Sequence, residues 1–553
     1  MRVHASLVVL AITHTAAAQV WQDATARCVG TTAEWSNKIE VADVDGDGNV
    51  DLLIANGGNY SSKGTPERAR IFRNLGAWDQ AGSRCTDISA QAIGGFSGLS
   101  RMIKAADIDG DGDLDIFTGG AYQTQAVLYL RGATGWTDAT AQLPQQLTSI
   151  GDAEFGDVDG DGDLDIVIAD WGTQAPGAVG YIGGRTRLYR NDGAGHFTDD
   201  TAAAMPPQLV KWSWDLELVD IDNDWDLDIL VSSKLDTTSF VFRNDGTGHF
   251  TADPNALPHF RNNYELQPMD IDGDGDLDLA TVNDGPNSTN HIFVNDGHGM
   301  FTDETQARLT GAANPPADDN AVVWLDVDSD GDADMLVASL GAERLLLNDG
   351  QGHFTLSPTA ATPNDTPSTL GIAIADLDGD GRADVVQAQG EQAFGDKVQL
   401  ASSAVAIDTS KPVIAVESIG FAAGGRVHAR VHDHQGPSHL HDWRQVVLRY
   451  TIAHAAPQDI AMKWYGEFLW AADLPPIADM SPETGYAVCA TDRAGNEGCS
   501  TFIHATNGGD GGIGGDAGTT PASAGGCCDA GNGPAGSLLP IAFVLLLRRR
   551  RSR

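Results

Sequence analysis

The chain has 553 residues, more than one compact core holds, so two or more folded units are expected. Its formal net charge is −43, which excludes nucleic acid or an anionic membrane surface as a natural partner. Of its 77 acidic residues, 33 fall in seven short loops, so much of the charge belongs to one repeated device.

Residues 1–18 carry Arg2, an apolar stretch around Leu7 to Ile12 and the small run Ala16, Ala17, Ala18 before Gln19, the pattern of a secretory signal. Export matters because extracellular calcium fills weak sites that cytosolic calcium leaves empty.

The repeated device follows the pattern DxDxDGxxD and runs directly into an apolar, β-branched segment, as at Asp157 to Asp165 followed by Ile166, Val167, Ile168. The first copy holds Asp43, Asp45, Asp47 and Asp51, with Asn49 at position 7; the second holds Asp107, Asp109, Asp111, Asp113 and Asp115. The third has Asp157, Asp159, Asp161, Asp163 and Asp165, and the fourth Asp220, Asp222, Asp224, Asp226 and Asp228. The fifth has Asp270, Asp272, Asp274, Asp276 and Asp278, and the sixth Asp326, Asp328, Asp330, Asp332 and Asp334. The last has Asp376, Asp378, Asp380 and Asp384, with Arg382 at position 7. So many like charges repel one another unless a cation sits among them. Carboxylates at positions 1, 3, 5 and 9 plus the position-7 carbonyl can supply the six to eight oxygens that calcium takes, if the chain turns sharply at position 6. Up to seven structural Ca2+ ions are therefore expected. An EF-hand needs an acidic residue at position 12 and a helix beyond it, whereas Ile54 and Ile168 occupy that place in strands. The fourth loop departs from the rest, with Asn223 and Trp225 where glycines usually stand, and is expected to be the weakest site.

Successive loops are 64, 50, 63, 50, 56 and 50 residues apart. Each interval holds a strand-like run before the loop, another after it, a third of the type Arg187 to Arg190, then an Asn-Asp-Gly turn and a fourth short run. Each repeat is thus expected to be four antiparallel strands, and seven such repeats fit a β-propeller. The outermost strand bears the signature aromatic-Thr-Asp-x-Thr, as in Phe197 to Thr201 and Phe301 to Thr305. Its first copy, Trp21 to Thr25, precedes the first loop, and no copy follows the last loop. Trp21 to Thr25 is therefore predicted to complete the seventh unit. These loops and strands, over residues 20–400, resemble the FG-GAP or VCBS repeats of integrin α-subunit propellers and of many secreted bacterial proteins. The resemblance implies an extracellular, calcium-binding seven-bladed propeller.

In such a blade the first and third turns share one face, which leaves the second turns on the opposite face for a ligand. The long second turns at 56–70 and 170–186 carry Tyr60, Trp171 and Tyr181, and the second blade's turn carries Tyr122. Exposed aromatics there would suit sugar or peptide contact, while the alternative is packing between blades.

Residues 401–506 lack aspartate loops and alternate in short runs such as Val427 to Val431 and Tyr486 to Cys489, which suggests a small β-sandwich. The run Asp492 to Asn496 resembles the last hairpin of bacterial Ig-like domains. Cys489 and Cys499 flank it and could pair, as could Cys28 and Cys85. His428, His432, His434, His439 and His441 form either a zinc or copper site or a polar strand face with its loop.

A Gly-rich linker (507–526) leads to Cys527 and Cys528, a short apolar stretch and Arg548 to Arg551. Fifteen apolar residues span roughly 22 Å, short of a bilayer core of about 30 Å. The segment 527–553 resembles myxobacterial C-terminal sorting tags, which implies a cleavable address with Cys527 or Cys528 as a lipid anchor; the alternative is a weak membrane anchor.

GxSxG, HExxH and P-loop signatures are absent from the sequence. The reading is an all-β protein, a seven-bladed propeller followed by an Ig-like sandwich, exported to the cell surface or outer envelope as a non-catalytic binding or adhesion module. Its partners would be an extracellular protein or glycan and the machinery that processes the tail, with the membrane touched only through that tail. The alternatives are a polysaccharide lyase or hydrolase built on the propeller and an architectural envelope spacer.

Overall fold

The computed structural model describes residues 19–505 except 60, 61, 286, 360, 363–365, 367, 422, 423 and 439. The signal, linker and sorting tail expected from the sequence, with Cys527 and Cys528, lie outside the described residues, as do Tyr60 and His439. No described helix is long and apolar enough to cross a membrane.

Seven four-stranded antiparallel sheets follow one another along the chain. In sheet 1 the strands, a to d, are Ser36–Ala42, Asp51–Asn56, Arg70–Asn74 and Cys85–Asp87. Sheets 2 to 6 repeat this order over residues 100–138, 150–199, 216–253, 263–303 and 319–356. Sheet 7 takes strands a to c from Thr369–Ala375, Asp384–Gln389 and Lys397–Ala401, and its strand d from the N-terminus. Trp21–Asp23 pairs there antiparallel, with Trp21 opposite Ala401 and Asp23 opposite Gln399, which is the pairing predicted from the displaced signature. Strand a of each sheet neighbours strand a of the next, and that of sheet 7 neighbours that of sheet 1. One cavity is lined by residues of all seven a-strands. Apolar cores fill the spaces between consecutive sheets, as where Val167 and Leu188 of sheet 3 meet Leu216 and Ile229 of sheet 4.

The outer-strand signature has a physical cause. The aspartate accepts the backbone N–H of the threonine or serine two residues on, as Asp199 does from Thr201 (3.0 Å) and Asp303 from Thr305 (3.0 Å), and so turns the chain into a short helix. The hydroxyl then accepts a strand-c N–H, Leu188 for Thr201 (3.1 Å) and Ile292 for Thr305 (3.0 Å). Thr25 does the same for Val398 at 3.1 Å, across more than 370 residues. Sequence periodicity did not reveal these helical turns. Nor did it reveal the small ribbon Gly58–Asn59 with Ser62–Thr65 in the long second turn of sheet 1. A disulfide joins Cys28, just beyond strand d of sheet 7, to Cys85 in strand d of sheet 1.

Residues 413–504 form two further antiparallel sheets. One is ordered Val413–Val416, Gly425–His432, Leu469–Leu474, Lys463–Gly466; the other Gln458–Ala461, Trp443–Thr451, Gly485–Asp492, Glu497–Cys499, with Ile503–His504 beside Gly485–Asp492. Val427, Ala429 and Val431 of the first meet Leu448, Tyr486 and Val488 of the second in one core. Cys489 and Cys499 lie opposite each other in register and are disulfide-bonded.

Candidate metal centre

Each loop is built by its own aspartates. Position 1 gathers backbone N–H groups: Asp43 accepts from Gly46 (2.9 Å), Asp47 (3.0 Å) and Gly48 (2.8 Å), and Asp376 from Gly379 (2.8 Å), Asp380 (3.0 Å) and Gly381 (2.9 Å). Position 9 is buried and ties the loop to the far end of strand c. Asp334 accepts from Asn348 N (2.7 Å) and from Val327 N (3.1 Å); Asp384 accepts from Ala401 N (2.6 Å) and Leu377 N (2.9 Å). Burial, with neighbouring loop carboxylates adding to it, pushes Asp51 up to about 7 and Asp334 to about 8.

Carboxylate oxygens of Asp43, Asp45 and Asp51 all lie within 4.8 Å of one another, as do those of Asp107, Asp109 and Asp115, of Asp157, Asp159 and Asp161, and of Asp220, Asp222 and Asp224. Oδ1 atoms of Asp45, Asp107, Asp157, Asp222, Asp226 and Asp272 are buried and have no hydrogen-bond partner. Bare, convergent carboxylate oxygens are the donor set of a hard dication, so the residues fit one. Position 7 contributes differently. A Cβ at Gly193 would stand 2.6 Å from the Asp163 carboxylate, and one at Gly350 2.6 Å from that of Asp332. The position-7 side chain lies against the hairpin glycine, where any Cβ would collide with it.

The hairpin asparagine does more than turn the chain. Asn191 Nδ2 donates to Ile108 O (2.8 Å), Asn244 to Val158 O (2.9 Å), Asn295 to Ile221 O (2.8 Å) and Asn348 to Ile271 O (2.9 Å). Every acceptor is the second residue of the preceding sheet's loop. Asn74 of sheet 1 reaches Leu377 O of sheet 7 in the same way, at 2.8 Å. In sheet 2 Arg131 takes the place of the asparagine and donates to Asp45 O at 2.6 Å.

A family profile of FG-GAP-like repeats matches residues 43–118, 107–168, 220–281, 270–337 and 326–386, which span just over half the chain and include all seven aspartate loops. The chain belongs to the FG-GAP-like repeat family. No curated protein matches it significantly. Among solved structures, an Agrocybe aegerita lectin that recognises non-reducing terminal N-acetylglucosamine aligns at TM-score 0.40 and 18% identity over 59% of this chain and 80% of its own. A fungal alcohol oxidase of the AA5 family in complex with copper aligns at 0.41 and 13% over 86% and 100%, and the Bacillus licheniformis rhamnogalacturonan lyase PL11 at 0.35 and 14% over 70% and 76%. TM-scores this low say nothing about function.

The FG-GAP-like loops also meet arginines, of which sequence reasoning singled out only Arg382. Arg73 pairs with Asp45 (2.6 Å) and Asp47 (2.7 Å), Arg190 with Asp159 and Asp165 (both 2.9 Å), and Arg243 with Asp222 (3.0 Å) and Asp228 (3.2 Å). Arg308 pairs with Asp272 at 2.8 Å and Arg382 with Asp380 at 2.7 Å. The recurrence of Arg before the hairpin Asn in three repeats was the signal available.

Loop 4 makes the same turn without the glycines. Asn223 and Trp225 adopt the left-handed conformation usual for glycine, with φ of 65° and 71°, and Trp225 N still donates to Asp220 (3.3 Å). The turn is kept because Trp225 packs against the core between sheets 3 and 4 and its carbonyl accepts from Tyr465 Oη (3.0 Å). What sets loop 4 apart is the buried Arg430, which donates to Asp220 Oδ2 (3.1 Å), Asn223 Oδ1 (2.8 Å) and Gly275 O (2.9 Å). Arg430 belongs to the C-terminal two-sheet domain, which therefore docks on the loop side. Arg426 reaches Gly160 O (2.9 Å), Ser410 donates to Asp326 (2.6 Å), and Asp157 N donates to Tyr465 O (2.8 Å).

His428 and His432 share the docking face of Gly425–His432 with Arg430. His428 pairs with Glu417 at 2.7 Å. His432 is buried, 5.5 Å ring to ring from His434, and burial with that neighbour lowers it to about 3. His434 lies beyond the strand at a φ of 55°, and His441 is buried at the cavity lined by the a-strands.

Of the aromatics expected on the opposite side, Trp171 must be corrected. It is 1% exposed, stacks on Trp214 at 5.6 Å and donates its indole N–H to Ser213 O, so it fills the core. Tyr122 is half-buried with its ring edge-on to Trp171 at 6.1 Å. Tyr181, also half-buried, donates to Trp171 O (3.1 Å) and accepts from Trp212 N (2.8 Å). The aromatic rings of these second turns thus pack on one another and on the link residues Trp212 and Trp214, while apolar residues of the same turns such as Ile182 stay exposed.

Proposed function

We propose that the seven sheets are the blades of a closed propeller stabilised by calcium in its FG-GAP-like loops, and that the protein is exported and displayed at the cell surface as a non-catalytic binding module. Calcium would be structural: the position-1, -3 and -9 aspartates of each loop would hold it, relieving the repulsion among carboxylates that already shape the turn. The C-terminal domain, read as Ig-like, covers part of the loop side. That leaves the second turns and inter-sheet links as the free surface.

One observation carries the binding reading. Ile182 and Leu235 in second turns, with Leu209 in the adjoining link, are 62%, 42% and 37% exposed, and Val179 is fully exposed beside them. Apolar side chains left in water on adjacent turns mark a contact surface. The ligand is an extracellular protein or glycan. The test is to incubate the purified chain with a polysaccharide and extracellular-protein panel and follow both retention and new reducing or unsaturated ends. Retention that the double variant Ile182→Ser/Leu235→Ser abolishes, with no new ends, supports the reading. New ends would favour a lyase or hydrolase; neither retention nor cleavage would favour an architectural spacer.

A further inference from the structure

In every sheet one residue of strand c pairs with the strand-b residue that follows the position-9 aspartate. It is Phe72, Phe242 and Phe293 in sheets 1, 4 and 5, Leu346 in sheet 6 and Gln399 in sheet 7. In sheets 2 and 3 it is a tyrosine, Tyr129 and Tyr189, each opposite an aspartate of strand d, Asp138 and Asp199. The two sheets treat the added hydroxyl differently.

In sheet 3 it is bonded within the chain. Gln146, from the link between sheets 2 and 3, donates its amide N–H to Tyr189 Oη (2.8 Å) and to Asp199 Oδ2 (2.7 Å), and its carbonyl accepts from Arg187 (3.2 Å). In sheet 2, Val127 stands at the register position of Arg187, and no glutamine bridges the pair. Among the described residues Tyr129 Oη has no hydrogen-bond partner, and Asp138 accepts the Thr140 N–H on Oδ1 (3.0 Å) with nothing on Oδ2.

Tyr129 and Asp138 line a groove of about 550 Å³ between strands c and d of sheet 2 and the short helix Ser89–Ala92 with the turn after it. That volume is within the range of about 300–1,000 Å³ usual for small-molecule sites. Tyr129 is only 8% exposed, so its ring is fixed. Ala92, Ile93 and Val127 supply buried apolar surface, Phe96 and Trp136 are half-buried aromatics, and Gln91 adds an exposed amide. What the Tyr129–Asp138 pair lacks is one group that donates to the carboxylate and accepts the phenol O–H. A lysine or arginine side chain has donors only and meets half of that need, whereas a hydroxyl meets both. Aromatic and aliphatic walls beside such a pair suit the apolar face of a sugar ring.

We propose that this groove binds a neutral saccharide, with one sugar hydroxyl held between Tyr129 and Asp138 in the way the Gln146 amide is held in sheet 3. The site goes beyond the exposed surface on the second turns of sheets 3 and 4, since it lies between sheets 1 and 2.

The test is calorimetric titration of the full chain with a panel of neutral oligosaccharides and, separately, with a lysine-rich peptide. At least one oligosaccharide is expected to bind, Asp138→Asn to weaken it at least tenfold and Tyr129→Phe at least threefold. Tyr129→Phe keeps the fold, because sheets 1, 4 and 5 carry phenylalanine at that position. Tyr189→Phe, which removes the hydroxyl already bonded to Gln146, should leave Kd unchanged. No oligosaccharide bound, or a Kd that neither Tyr129→Phe nor Asp138→Asn alters, overturns the proposal. Oligosaccharide binding lost only in Ile182→Ser/Leu235→Ser also overturns it, while upholding the second-turn surface. Binding of the peptide alone, lost in Asp138→Asn, assigns the groove to a basic protein segment and overturns the saccharide.

Discussion

Removing the N-terminal strand tests whether sheet 7 is completed from the other end of the chain. Trp21 is wholly buried against Val323, Leu325 and Val385, and its indole N–H donates to Ala383 O at 2.7 Å. Truncating a buried tryptophan to alanine costs about 3–5 kcal/mol through lost burial and the cavity left behind. That is a factor of roughly 10² to 10⁴ in the folding equilibrium. Deleting residues 19–27 should cost more, because Val398 N and Ser402 N, which donate to Thr25 Oγ1 (3.1 Å) and Val20 O (2.9 Å), lose their acceptors, and strand c of sheet 7 becomes an edge. The assay is urea unfolding of Trp21→Ala and of the deletion, with Phe301→Ala, the equivalent aromatic of sheet 5, as reference. Midpoints should fall for all three, furthest for the deletion. A deletion with an unchanged midpoint would refute the pairing and, with it, closure of the propeller through its termini.

Asn295→Ala removes donors to Ile221 O and Leu277 O (2.8 and 3.0 Å), and should destabilise by about 1–3 kcal/mol in the same urea assay; a loss under about 0.5 kcal/mol would mean that the hairpin asparagines do not link sheets. Reducing Cys28–Cys85, which closes a separation of 57 residues, should cost about 4 kcal/mol on the chain-entropy account, read from melting with and without reductant against Cys85→Ser. His432 supplies a pH dependence. Its folded pKa, about 3, lies below the ordinary value near 6.5, so the unfolded chain takes up the proton first and stability falls as pH drops below about 6.5. Between pH 7 and 5 this group alone should remove about 2 kcal/mol, and His432→Phe should lose that part of the slope; identical slopes would show that His432 titrates freely in the fold.

Much of the fold was legible because it repeats. Seven aspartate loops, the Asn-Asp-Gly turns and the threonine signature recur along the chain, and the structure gives each a local bonding role. The displaced first signature told where Trp21–Asp23 pairs because it was counted against the loops. What was not legible lies between units that sequence spacing does not connect. Arg430 meets Asp220 from 210 residues away, and nothing in either segment's periodicity marks the meeting. Trp171 was read as exposed because it sits on a long turn, but three aromatic neighbours from a link and another turn bury it. Trp225 shows the same override at the scale of one residue: packing and a Tyr465 hydrogen bond hold a tryptophan where backbone preference favours glycine.

The central claim is that the loops are calcium sites on which the fold depends. Melting the purified chain at neutral pH in excess calcium and in excess chelator tests it most directly. A site that binds only the folded state adds about 2.7 kcal/mol at a hundredfold excess over Kd, and several such sites add together. The account predicts a large fall in melting temperature on chelation, restored by calcium. A melting curve indifferent to the chelator would contradict it.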